Sequence, residues 1–180
     1  MPSSSRPVLD APRLQSAFQA LDRLLDRPVT LIVGGGTAMM LAYRLPVRTT
    51  DVVDACPREG SLDDILPAIR EVAKAQGLPA DWINPWFETF AYVLPPDYGA
   101  RLRTVFQGGR LTASALGLED LLVMKCFAGR EKDIGHARAL LKRGPDLRVV
   151  ERRIQELAER GVAGAQDALD FLDDLAGDAP

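Results

Sequence analysis

An apolar run that ends on three consecutive glycines constrains this chain more than any other stretch. Leu31-Ile32-Val33 leads into Gly34-Gly35-Gly36, and Thr37-Ala38-Met39-Met40 follows. The pattern predicts a strand over 29–33, a sharp turn, and a helix over 37–44, with Thr37 as its cap and Pro46 beyond its end. Glycines lack Cβ atoms, so their backbone can turn tightly and approach a ligand closely. The N–H groups of a helix start are unpaired and form a ready anion site. A phosphate cradle is one reading; a tight strand-to-helix turn with an ordinary cap is the other. No Gly-Lys-Ser/Thr follows, so it is not a Walker A loop. The Gly-x-Gly-x-x-Gly spacing of a dinucleotide fold is also absent.

A second short strand is expected over Arg48-Thr49-Thr50-Asp51-Val52-Val53-Asp54, with acid at both ends. Asp51 could bring a divalent cation beside the anion site. Residues 51 and 53 of a regular strand share a face, while 54 points the other way. Asp54 joins Asp51 only if a β-bulge across Val52 and Val53 adds a residue; otherwise it is a solvated residue at the strand end. Arg48 either contacts phosphate or pairs with Asp51, and pairing is the commoner arrangement.

The remaining periodicity predicts helices over 10–26, 61–76, 118–128, 130–142, 146–160 and 163–176. Ser61 with Asp64 resembles a capping box, and Gly77 and Gly129 mark helix ends. Strands over 101–107 and 110–115 read as a hairpin turning on Gly108-Gly109. Arg101, Arg103 and Arg110 would then form a basic edge, either facing phosphate or deterring sheet-to-sheet pairing. The strand over 101–107 carries no acid, so Glu88 or Asp97 could supply a further carboxylate only from the loop before it. Trp82 and Trp86 are candidates for base stacking or for plain packing. Residues 1–9 read as a tail, 10–144 as the core and 145–176 as a helical hairpin packed on it.

Composition narrows the function classes. The 180 residues carry a net charge of −3, which gives no strong electrostatic case for general nucleic-acid binding. The two cysteines, Cys56 and Cys126, lack metal-ligand spacing and read as reduced thiols of a cytoplasmic protein. His136 is the single histidine, which leaves little for histidine-based zinc or triad chemistry. No apolar run is long enough to span a membrane, and the polar start lacks a secretion-signal core.

The order strand, Gly-Gly-Thr, helix, Arg-x-x-Asp resembles the nucleotidyltransferase superfamily that shares the polymerase β catalytic core. Within it the chain most resembles the AbiE-type toxins and related minimal bacterial nucleotidyltransferases. Gly35-Gly36-Thr37, Asp51, Lys125 and Arg130-Glu131-Lys132-Asp133 fall in the family's order. The family's second carboxylate, two residues after Asp51, is Val53 here. The resemblance implies an α+β fold, a mixed β-sheet flanked by helices with a C-terminal helical extension. It implies that Gly35, Gly36, Thr37 and Lys125 bind a nucleoside triphosphate. It also implies that Asp51, with Asp54 if the strand bulges, holds Mg²⁺.

Two functions are expected from these parts. One is transfer of a nucleoside monophosphate to RNA or protein, in a toxin–antitoxin-like setting and with a degraded metal site. The other is a catalytically inactive binding or regulatory module on the same fold, acting with a protein partner, a nucleic acid or a second copy of itself.

Overall fold

The computed structural model describes residues 9–46 and 52–177, with Lys132 as backbone only. Arg48, Thr49 and Asp51 lie outside the described residues. So do the proposed Arg48–Asp51 pair and the relation of Asp51 to Asp54. The fold divides into two compact units, Met1–Glu88 with Arg103–Ala115 and Thr89–Leu102 with Leu116–Pro180.

The first unit is built on a five-stranded mixed sheet in the order β3-β2-β1-β5-β4. β1 (Val29–Val33) is central, pairing antiparallel with β2 (Val53–Pro57) and parallel with β5 (Leu111–Ala115). β3 (Ile83–Asn84) joins β2 in parallel, and β4 (Arg103–Gln107) joins β5 antiparallel. Leu31, Ile32 and Val33 are all buried, as an unbroken apolar run requires when both faces are covered.

Helix α1 (Ala11–Leu24) starts at an Asp10 cap, whose carboxylate accepts from the Arg13 N–H. It buries Leu14, Ala17, Phe18 and Leu21. Phe18 packs against Trp82 and Phe106, with ring centroids 6.2 Å and 5.6 Å apart. Trp82 is wholly buried and donates its indole N–H to the Ile69 carbonyl, so it is a core residue. The helix expected over 61–76 is a 3-10 turn at Leu62–Ile65 followed by α3 (Leu66–Gln76). Pro67 explains the break: it has no N–H to give the Asp63 carbonyl, which takes a 3-10 bond from Leu66 instead. The Ser61–Asp64 capping box is present, and Gly77 ends the helix in the left-handed region.

The hairpin differs by one residue from its expected turn. Gly108 donates to the Leu111 carbonyl, which puts Gly109 and Arg110 at the apex. The cause is Asp22 on α1, whose carboxylate accepts from the N–H groups of Gly109, Arg110 and Leu111. These backbone bonds, Arg110 and Leu111 foremost, hold its pKa below the ordinary value. An irregularity in β4 falls between Thr104 and Phe106. Gln15 of α1 donates to the Val105 carbonyl there at 3.0 Å, satisfying an acceptor that the interrupted ladder leaves over.

The second unit is helical. It holds α4 (Leu118–Ala128), α5 (Glu131–Leu141), α6 (Leu147–Glu159) and α7 (Ala165–Gly177), with α6 and α7 both packed on α4. His136 is half-buried on α5. Two fully buried aspartates hold the unit together, each at the third position of a helix, where an acid suits the dipole. Asp120 of α4 accepts from Arg101 at 3.1 Å and from Arg153 of α6 at 2.8 Å. Asp133 of α5 accepts from Lys125 of α4 at 2.6 Å and from Arg130 at 2.7 Å.

Candidate functional site

The glycine run does position a helix start, though not the one expected. Helix α2 (Gly35–Tyr43) begins inside the glycines, with Gly34 as its N-cap and no side-chain cap bond. Thr37 therefore sits within the first turn rather than before it. The early start depends on Gly35, whose φ of +56° is a conformation that side-chain-bearing residues rarely take. The far end closes on Arg44 at φ +50°, two residues before Pro46.

Asp54 meets this helix start. Its backbone carbonyl accepts from the Gly34 N–H at 2.8 Å, fixing β2 against the end of β1. A Cβ placed on Gly35 would stand 2.4 Å from the Asp54 carboxylate oxygen. The missing side chain at 35 is what lets the carboxylate reach the positive end of α2. Phe87 covers the neighbouring glycine, its ring 3.0 Å from where a Gly34 Cβ would stand. Gly34, Gly36 and Thr37 are buried, and Gly35 is the half-exposed member.

The register of β2 accounts for the aim of Asp54. Val53 pairs with Ile83 and Asp54 with Asn84 in regular sequence, and both Val53 and Ile83 are buried. Alternation then turns Asp54, Asn84 and Cys56 to the same face. The residue two before Asp54 is Val52, which offers no ligand atom. The signal that sequence reasoning missed is this anchoring: counted from the strand's own buried positions, Asp54 is the acid at the glycines. Glu88 stands near the same face, since its charge adds to burial in pushing the Cys56 thiol up to about 12.

Among the described residues, no group of three or more His, Cys, Asp or Glu side chains is arranged to hold a metal ion. Mg²⁺ commonly takes only one or two carboxylates and completes its shell with substrate phosphates and water. Asp54 beside a helix N-terminus fits the protein's share of such a site.

Other expected site residues have partners of their own. Lys125 belongs to the second unit, buried and bonded to Asp133. Burial alone would raise the Asp133 pKa; the hydrogen bonds from Arg130 and Lys125 outweigh it and hold the carboxyl below its ordinary value. Arg101, Arg103 and Arg110 each have partners of their own. Arg101 is bound to Asp97 and Asp120, Arg103 lies 4.9 Å over the Tyr43 ring, and Arg110 donates to the Leu25 carbonyl. Asp97 is thus committed to an arginine within the second unit.

No curated protein and no solved structure matches the chain significantly. The profile of a family described as "Nucleotidyltransferase of unknown function (DUF6036)" matches residues 12–169. That span takes in the strand, the glycine turn, Asp54 and all of α4 to α6, and the chain belongs to this nucleotidyltransferase family.

Proposed function

We propose that the chain transfers a nucleoside monophosphate from a nucleoside triphosphate to a hydroxyl of RNA or protein, in the manner of the AbiE-type toxins it resembles. The observation that carries this reading is the Asp54 carboxylate set against Gly35 at the start of α2, in a chain of nucleotidyltransferase family. The helix start would take the triphosphate at Gly35 and Gly36, with Thr37 in the turn beneath. Asp54, joined by Asp51, would hold Mg²⁺. When bound, that ion neutralises charge on the phosphates and on the leaving pyrophosphate. The acceptor hydroxyl oxygen bonds to the α-phosphorus and gives up its proton to water, the α–β phosphoanhydride bond breaks, and pyrophosphate leaves with the electron pair.

A second reading rests on its own observation. Asp54 itself fills the space in front of Gly35, while Gly34, Gly36 and Thr37 are buried. A carboxylate standing in for the anion would leave a stable scaffold that binds a protein or nucleic-acid partner without turnover.

Thermal unfolding with nucleotide separates the two. The transferase reading expects Mg²⁺ with a nucleoside triphosphate to raise the melting temperature by several degrees, and either alone to do much less. In Asp54→Asn the metal-dependent part should vanish. A melting temperature indifferent to every triphosphate with Mg²⁺ supports the scaffold instead.

A further inference from the structure

The Asp54 carboxylate stands in the place that a phosphate would need. Its oxygen lies 2.4 Å from where a Gly35 Cβ would be, at the positive end of α2. Gly34, Gly36 and Thr37 are buried and Gly35 is half-exposed, so the open part of this helix start is the part the carboxylate occupies. Gly35 makes the seat, since its φ of +56° comes with no Cβ to fill the space. A phosphate arriving there meets a like charge at contact distance, where repulsion is strongest. The strand beneath is held in place. The Asp54 carbonyl accepts from the Gly34 N–H at 2.8 Å, and the residue pairs in register with Asn84 of β3. Its neighbours Val53 and Ala55 are wholly buried. Asp54 itself is half-exposed, so its side chain is open to an ion from solvent. A rotation about its own χ bonds can clear the helix start while the backbone stays where it is.

We propose that Asp54 is a gate as well as a ligand: its carboxylate closes the start of α2 to free phosphates and yields it to a polyphosphate only when a divalent cation receives the carboxylate. The inference rests on the transferase reading above and concerns the same site. Without the cation, the carboxylate acts as an internal anion on the helix start, and orthophosphate, pyrophosphate and metal-free triphosphate are kept out. With the cation present, the Asp54 side chain turns from the helix start toward it, and the vacated N–H groups are free to take phosphate oxygen. Metal and polyphosphate then favour each other through this one side chain, and the coupling is the same in both directions.

The test is calorimetric titration of the full chain with inorganic tripolyphosphate, in EDTA and with Mg²⁺. The parent should bind it about tenfold or more weakly in EDTA, the scale of an ordinary coupling between two sites. In EDTA, Asp54→Ala and Asp54→Asn should each bind it about tenfold or more tightly than the parent does, because a like charge has been taken from the seat. Mg²⁺ should add little to either variant. Glu88→Gln removes another charge near this face and should change metal-free binding by less than about twofold, because a charge outside the seat is screened by salt. Melting temperatures of the free variants establish that each is folded. Equal binding by the parent with and without Mg²⁺, no gain in either Asp54 variant, or an equal gain in Glu88→Gln overturns the gate and leaves the transferase reading standing. A gain in the Asp54 variants with no binding by the parent even in Mg²⁺ makes Asp54 a fixed plug, which overturns the gate and supports the scaffold reading. If neither parent nor variant binds tripolyphosphate under any condition, the transferase reading falls and the gate with it.

Discussion

Single positions carry the account's sharpest consequences. Gly35→Ala meets two costs at once: a side chain at φ +56° and a Cβ 2.4 Å from the Asp54 carboxylate. The strain alone costs about 1–3 kcal/mol. Pairing Gly35→Ala with Asp54→Ala removes the collision but not the backbone strain. The double variant, followed by denaturant unfolding, should therefore be more stable than the sum of the single losses predicts. Lys125→Met leaves Asp133 with Arg130 alone and should destabilise the fold by about 3 kcal/mol, the cost of removing one partner of a buried pair. At this scale the sequence was legible where one residue type has one use. Gly77 and Gly129 end helices as expected, each in the left-handed region. Thr37 misled because a threonine after glycines reads as a cap, while a glycine in the left-handed region can start the helix two residues earlier. Asp120 gave no sign of being buried, because its partner Arg153 comes thirty-three residues on.

Most helices were read from periodicity, but the second strand, expected over 48–54, runs Val53–Pro57 among the described residues, and the hairpin shows where local reading stops. Both strands are present, but the apex is placed by Asp22, eighty-seven residues before Gly109, which no local pattern reveals. The Asp22 carboxylate is worth most when ionised, and its folded pKa lies below the ordinary value. Its contribution is therefore full above the unfolded carboxyl pKa, near 4, and is lost as pH falls through the lowered folded value. Asp22→Asn should lower the melting temperature at neutral pH and flatten the acid side of the stability profile. A profile parallel to that of the parent would contradict the role given to this clasp. The two-residue β3 was not foreseen at all: Ile83-Asn84 is too short to show alternation, and Val53 supplies the partner that makes it a strand.

For the whole molecule, the mixed sheet flanked by helices follows the expectation drawn from the family resemblance, and no described helix is long and apolar enough to cross a membrane. Burial raises both thiols: Cys126 by desolvation alone, and Cys56 by desolvation with the charge of Glu88, each to about 12. Neither should react with a thiol reagent at pH 8 while the protein is folded, and both should react once it is unfolded in denaturant. The meeting of Gly35 and Asp54 was half legible: the glycine turn stood out in the sequence, while the acid that meets it depended on strand register. The central claim, that Asp54 at the start of α2 serves nucleotidyl transfer, is met most directly by incubating the full chain with α-labelled triphosphates, Mg²⁺ and a cell extract. The account predicts label on an RNA or protein acceptor, lost in Asp54→Asn. Metal-dependent transfer that Asp54→Asn leaves undiminished would contradict it, as would no transfer to any acceptor from any of the four nucleotides.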